Sequence, residues 1–179
     1  PIDTFKTNII GTLNVFEAAR NIKDLKAIIN ITTDKCYENY EQATPYIETD
    51  RLGGYDPYSS SKACSELVSS SYRNSFLRNL DIHIATARGG NVIGGGDWAK
   101  DRLIPDFFKS LEMEQSFKIR SPDSIRPWQH VLEPIYGYLM LAEKLVLKGD
   151  EYAEAWNFGP NENNMKTVSE IIDYLLKKT

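Results

Sequence analysis

The sequence predicts an α/β fold built on a parallel sheet. Short apolar runs alternate with amphipathic helical segments along the chain, the pattern of strands joined by crossover helices. The run Ile28-Ile29-Asn30-Ile31 is apolar nearly throughout, as in a strand covered on both faces. It ends abruptly in Thr32-Thr33-Asp34-Lys35, and in open α/β sheets chemistry gathers at the carboxyl ends of strands.

Each element has its own signal. From about Asp3 to Arg20 a helix is expected, with Phe5, Ile9, Leu13 and Phe16 on one apolar face and Asp3 or Thr4 as cap. Gly11 lies mid-helix at a cost of roughly 1 kcal/mol relative to Ala, which suits either a close approach or a tolerated Gly. Ala27 to Thr33 is the first strand. Residues 36 to 57 are polar and broken by Pro45, Gly53, Gly54 and Pro57, so they read as a loop over the carboxyl end of the sheet. Tyr58 to Phe76 is a long helix whose inner side is expected to hold Ala63, Leu67, Ser70 and Ser71. Asp81 to Arg88 is a second buried strand.

The second half reads less sharply. Gly94-Gly95-Gly96-Asp97-Trp98-Ala99 fits a dinucleotide fingerprint in letters, but that motif must open a helix directly. Asp101, Arg102 and Pro105 follow instead, so a loop bending near a ligand is the better reading. Ile104 to Met113 is a short helix with Pro105 in its first turn. Phe117 to Arg120 is a candidate strand and Ser121 to Gln129 a loop carrying Arg126. His130 to Leu147 is an amphipathic helix stopped by Gly149, and Ala155 to Phe158 a short strand. Thr167 to Lys178 is a final helix, with Thr167 and Glu170 spaced as a capping box.

Composition excludes several function classes. Net charge is -4 over 179 residues, with no basic patch, so nucleic acid is not an expected partner. No apolar run is long enough to span a bilayer, so no membrane partner is expected either. Pro1-Ile2-Asp3-Thr4 lacks the basic and apolar regions of a signal peptide. Cys36 and Cys64 follow no metal spacing and suit a reducing, cytoplasmic compartment. His83 and His130 have no ligand-like partner in sequence, and no metal is expected.

The chemistry centres on Asp56-Pro57-Tyr58-Ser59-Ser60-Ser61-Lys62. Tyr58 and Lys62 are four apart, so at a helix start they share a face one turn apart. A cation there favours the phenolate and makes the tyrosine a usable general base. The pair alone is a weak signal, since an exposed helix start also produces it. Asp34 and Lys35 add a carboxylate beside an ammonium, an arrangement that favours ionised Asp34.

Four stretches in fixed order carry a family resemblance: Thr32-Thr33-Asp34-Lys35, Tyr58-Ser59-Ser60-Ser61-Lys62, Arg88-Gly89-Gly90-Asn91-Val92-Ile93-Gly94 and Ile125-Arg126-Pro127-Trp128-Gln129-His130-Val131. Together they resemble the extended short-chain dehydrogenase/reductases that act on nucleotide sugars, and the match runs over nearly the whole chain. Asn91 to Trp98, with Arg126 to His130, is most similar to the 4,6-dehydratases of that family. Most of those carry Thr-Asp-Glu at the strand end; Lys35 replaces the Glu here, as in one branch of them.

The resemblance implies a partial Rossmann-type doubly wound parallel sheet in residues 1–93. Residues 94–179 would be mostly a smaller C-terminal substrate domain, with elements returning to the sheet. It implies NAD as cofactor, a nucleotide diphosphate sugar as substrate and a homo-oligomer. Thr33 would bind the sugar 4-hydroxyl and Tyr58 take its proton. Lys62 would hold the nicotinamide ribose beside Tyr58. Asp34, with Lys35 beside it, would protonate the departing 6-hydroxyl, and Asn91 and Arg126 would hold the diphosphate. A 4-epimerase needs no acid at Asp34, and a non-catalytic sugar-binding remnant needs none of these groups. A complete member also begins with a strand, a Gly-rich turn and a helix that bind the adenine half of NAD. The sequence starts beyond them, so residues 1–179 alone are expected to be inactive, to bind NAD weakly and to self-associate.

Overall fold

The computed structural model describes residues 1–40, 42, 44–161 and 165–179. In chain order the elements begin with α1 (Ile2–Phe5), α2 (Gly11–Ala19), β1 (Ala27–Ile31), α3 (Pro57–Tyr72), β2 (His83–Gly89) and β3 (Asn91–Ile93). They continue with α4 (Leu103–Glu112), β4 (Ile125–Arg126), β5 (Trp128–His130), α5 (Leu132–Lys148), β6 (Ala155–Phe158), β7 (Lys166–Thr167) and α6 (Val168–Leu176). They fall into two compact units. One is Pro1–Gly89 with Pro134–Phe158; the other is Gly90–Glu133 with Gly159–Thr179.

In the first unit, β1, β2 and β6 form a parallel sheet in the order β1-β2-β6. Successive side chains on a strand face opposite ways, and both faces are covered. Ile28 and Ile84 pack with Phe16, Leu77 and Ile82 on one side. Ala27, Ile29 and Ala85 pack with Leu141 and Leu145 of α5 on the other. The expected parallel α/β layering is therefore present. Central β2 is buried from Ile84 to Gly89, whereas β1, with one described neighbour, is only half-buried. Its ladder ends at Ile31, two residues before the expected Thr33, although the Thr32 amide still donates to the Ala87 carbonyl at 2.8 Å.

The first helix is less regular than its apolar spacing suggests. A π-helical turn at Lys6–Ile10 separates α1 from α2, and another, Arg73–Leu77, follows α3. A Cβ on Gly11 would meet nothing closer than the Lys6 carbonyl at 3.8 Å, so no close approach demands glycine there.

The inner face of α3 departs from expectation. Leu67 is 59% exposed and Ser71 is exposed, while Ser59, Ser61, Ala63, Ser65, Glu66 and Ser69 are buried. Small hydroxyl residues let neighbours approach and bond to them. Asn8 Nδ2 donates to Ser61 Oγ at 2.9 Å, Thr12 and Ser65 share a 3.2 Å bond, and Asn30 Nδ2 donates to Ser65 and Ser69 at 2.9 and 2.8 Å. Apolarity misplaces the face because these buried polar groups satisfy one another.

In the second unit, β3 pairs parallel with β5, and β4 pairs antiparallel with β7. β4 lies within the segment expected to be a loop, and β5 overlaps its end and takes His130 from the expected helix; pairs of two or three residues leave no periodic signal. Phe117 to Arg120 forms no strand, and the Phe117 ring instead meets Phe107 edge-on at 5.8 Å. The loop from Gly94 reaches α4 without opening a helix at once, as the rejected fingerprint requires. Thr167 and Glu170 form the expected capping box.

Candidate functional site

At the end of β1 the chain stays extended through Thr33 (φ -156°, ψ 154°) and then enters a 3₁₀ turn, Asp34–Cys36. Thr33 caps this turn: its hydroxyl accepts from the Lys35 amide at 3.3 Å and donates to Asp34 Oδ1 at 3.1 Å. The Thr33 side chain is held in place by these bonds and is 5% exposed. Lys35 Nζ lies 3.5 Å from the same Asp34 oxygen. Because the strand has ended, Asp34 and Lys35 do not alternate between sheet faces, and their charges meet.

The start of α3 is fixed by capping. Asp56 accepts from the amides of Tyr58 and Ser59 at 2.9 and 3.1 Å, and Pro57 occupies the first helical turn, where its missing N–H costs nothing. Ser59 Oγ donates to Asp56 Oδ2 at 2.6 Å, and this bond and the amides hold the Asp56 carboxyl below its usual range. Gly54 (φ 150°) lies against this turn. A Cβ there would overlap the Ser60 amide, and Ser60 Oγ donates to the Gly54 carbonyl at 2.8 Å. The approach of loop to helix is possible only without a side chain.

Tyr58 follows in the first turn with its ring 44% exposed. Lys62, one turn on, is half-buried and donates from Nζ to the Ile31 carbonyl at 3.1 Å. Burial pushes the Lys62 ammonium down from its ordinary pKa, against the opposing pull of the Glu66 carboxylate. The 3₁₀ turn packs on α3, with Cys36 and Tyr37 against Ala63. Thr33, Asp34 and Lys35 thus lie at the β1 end to which Lys62 is tied, and Tyr58 lies one turn before Lys62.

The other two candidates are in the second unit. Asn91 opens β3, and its Oδ1 is buried with no described partner. Arg126 lies on exposed β4, where Nη1 donates to the Ile125 carbonyl at 3.2 Å. Cys36 is inert, since burial pushes its thiol up to about 12. Among the described residues no cluster of His, Cys, Asp and Glu could hold a metal ion, and no helix is long and apolar enough to cross a membrane.

Sequence reasoning missed a buried charged group behind this end of the sheet. Arg88 Nη2 donates to Glu66 Oε2 at 2.9 Å, and both side chains are almost fully buried. Thr86 Oγ1 donates to the same oxygen at 2.7 Å, and Thr32 Oγ1 donates to Glu66 Oε1. Burial opposes charge on Arg88, but the Glu66 carboxylate outweighs it and holds the guanidinium above its ordinary pKa. The available signal was Arg88 itself, a charge at the end of an otherwise apolar strand, which requires a buried partner.

Comparison with known proteins bears on this arrangement. The chain is 51% identical to the CDP-glucose 4,6-dehydratase of Salmonella typhimurium, over 98% of this chain and 50% of that protein. It is 26% identical to the dTDP-glucose 4,6-dehydratase of Haemophilus influenzae, over 97% of this chain and 52% of that one. A dTDP-glucose 4,6-dehydratase from Bacillus anthracis, solved in complex with NAD, superposes with a TM-score of 0.78 at 25% identity, covering 98% of this chain and 53% of that one. A UDP-glucuronic acid 4-epimerase from Bacillus cereus shares the fold with a TM-score of 0.80 at 24% identity, over 96% of this chain and 51% of its own. The chain spans about half the length of the curated relatives it matches. A family match extends over residues 1–177, and the chain belongs to the NAD dependent epimerase/dehydratase family.

Proposed function

We propose that the full-length protein of which this chain is part is a lyase that converts CDP-glucose to CDP-4-keto-6-deoxyglucose, using bound NAD. One observation carries the reading. Thr33, Asp34, Tyr58 and Lys62 stand at and around one strand end in a chain 51% identical to a CDP-glucose 4,6-dehydratase. In this reading residues 1–93 complete an NAD-binding domain and residues 94–179 mostly bind substrate. The enzyme works as a cytoplasmic homo-oligomer, in keeping with free Cys36 and Cys64.

The donor set suits NAD. Lys62 directs one of its three N–H donors to Ile31 and retains two others for ribose hydroxyls, beside the exposed Tyr58 phenol. NAD, when bound, would supply the hydride acceptor for oxidation at C4 and the hydride donor for reduction at C6. Thr33 orients the 4-hydroxyl, and Tyr58 removes its proton as C4 is oxidised. The resulting ketone acidifies the C5 proton, which a base of the complete active site takes up as the 6-hydroxyl leaves as water. For this step Asp34 must hold a proton, which desolvation by the bound sugar favours against the pull of Lys35. It gives that proton to the departing 6-hydroxyl, and Lys35, 3.5 Å away, balances the carboxylate that results. Asn91 and Arg126 supply amide and guanidinium donors that suit diphosphate oxygens.

Incubating the full-length enzyme with CDP-glucose tests the reading by mass spectrometry of the product. Loss of one water from the sugar supports it. A product of unchanged mass with C4 inverted would make the enzyme an epimerase.

A further inference from the structure

We propose that Glu66 and Arg88 are positioning residues: their buried ion pair sets the Thr33-Asp34 turn and holds down the loop that follows. This deepens the dehydratase reading and rests on it.

The ion pair is joined to both structures. Glu66 uses its two carboxylate oxygens on three partners: Thr32 on Oε1, and Thr86 and Arg88 on Oε2. Thr32 and Asn30 both turn toward α3, Asn30 to Ser65 and Ser69 and Thr32 to Glu66 one helical turn from Ser69. Neighbours in extended backbone point to opposite faces, so fixing the Thr32 side chain fixes which way Thr33 points. Arg88 reaches the other way. Its Nη1 donates to Tyr37 Oη at 2.7 Å and to the Glu48 carbonyl at 3.0 Å, and its guanidinium stacks over the Tyr37 ring at 5.0 Å.

The loop is then tied to the sheet at a second point. Tyr37 Oη donates to Asn157 Oδ1 at 2.7 Å. Asn157 in turn gives its amide N–H to Glu48 Oε1 at 2.8 Å and its side-chain Nδ2–H to the Tyr46 carbonyl at 3.0 Å. Tyr37 and Glu48 of the loop are therefore anchored to β2 through Arg88, and Tyr37, Tyr46 and Glu48 to β6 through Asn157. Both the Glu66 and Arg88 side chains are almost fully buried, so they act through the residues they hold. Their buried charges match each other, and breaking one leaves the other uncompensated. A shift of about 1 Å at reacting groups is enough to cost roughly a hundredfold in rate, so such rigidity has kinetic weight.

Thr32→Val in the full-length enzyme is the test, because it keeps the side chain's shape and removes only the hydroxyl that Glu66 holds. Turnover is measured per active site, with sites counted by bound NAD, alongside Thr32→Ser and Tyr58→Phe. The expected result is a kcat about tenfold lower for Thr32→Val with KM within about twofold, and recovery in Thr32→Ser, which restores the hydroxyl. If kcat per site is unchanged while only the melting temperature falls, the network is structural and the proposal is overturned. Near wild-type activity in Tyr58→Phe would overturn the underlying reading, and the proposal with it. If Thr32→Val does not fold, Tyr37→Phe takes its place with the same expectations: it removes only the hydroxyl between Arg88 and Asn157.

Discussion

The Lys62 ammonium donates to the main-chain carbonyl of Ile31 over 3.1 Å, tying the first turns of α3 to the carboxyl end of β1. A sequence motif on a helix is thereby brought to the strand end that carries Thr33 and Asp34. The bond also satisfies a carbonyl at the point where the ladder stops.

Burial lowers the Lys62 pKa below its unfolded value of about 10.4. Between the folded and unfolded values the unfolded chain binds more protons, so unfolding free energy rises with pH in that window. Lys62→Met keeps the stem and removes the charge. Urea titrations of both full-length proteins across alkaline pH isolate this contribution: the wild type should gain stability with pH relative to the variant, whatever the common fall from the raised Cys36 thiol. An identical pH dependence in both would contradict the burial assigned to Lys62.

Asp56 caps α3, and its folded pKa is depressed. Its contribution is complete above the unfolded value of about 3.9 and is lost as pH falls through the folded one. Asp56→Ala should cost about 1 kcal/mol at neutral pH, the usual worth of a cap. Asp56→Asn should keep most of that and flatten the acid limb. Equal stability of Asp56→Ala and wild type in denaturant unfolding would contradict the capping.

Lys35 lies 3.5 Å from the Asp34 carboxylate. Lys35→Glu replaces attraction with like-charge repulsion there, so loss of water should slow more than the first oxidation. The 4-keto sugar that still holds its 6-hydroxyl should accumulate in rapid-quench samples. A fall in overall activity without that species would assign Lys35 to an earlier step.

The proposed substrate rests on the Gly94 to Trp98 loop and on Lys35, which resemble one dehydratase branch. CDP-glucose should be turned over with the highest kcat/KM among CDP, dTDP, UDP and GDP sugars. Comparable values for dTDP-glucose would remove the base preference.

Periodicity and punctuation made much of the fold readable. β1 and β2 declared themselves by apolar runs, and α6 by its Thr167 and Glu170 cap. The face of α3 did not, because Ser61, Ser65 and Ser69 are buried through mutual hydrogen bonds while apolar Leu67 faces outward. The strands β4 and β7 did not, since two-residue pairs depend on tertiary contact alone. For the candidate site, the placing of Tyr58 and Lys62 one turn apart at the start of a helix was readable by spacing. Glu66 and Arg88 were not, because their pairing joins a helix to a strand 22 residues away and no local rule connects them.

The central claim is most directly tested by the fate of the C4 hydrogen. Full-length enzyme is given CDP-glucose deuterated at C4, and the product is read by NMR. Deuterium in the C6 methyl group is the predicted result, since hydride leaves C4 and returns at C6 within one site. Deuterium retained at C4 with inverted configuration, and an intact 6-hydroxyl, would contradict it.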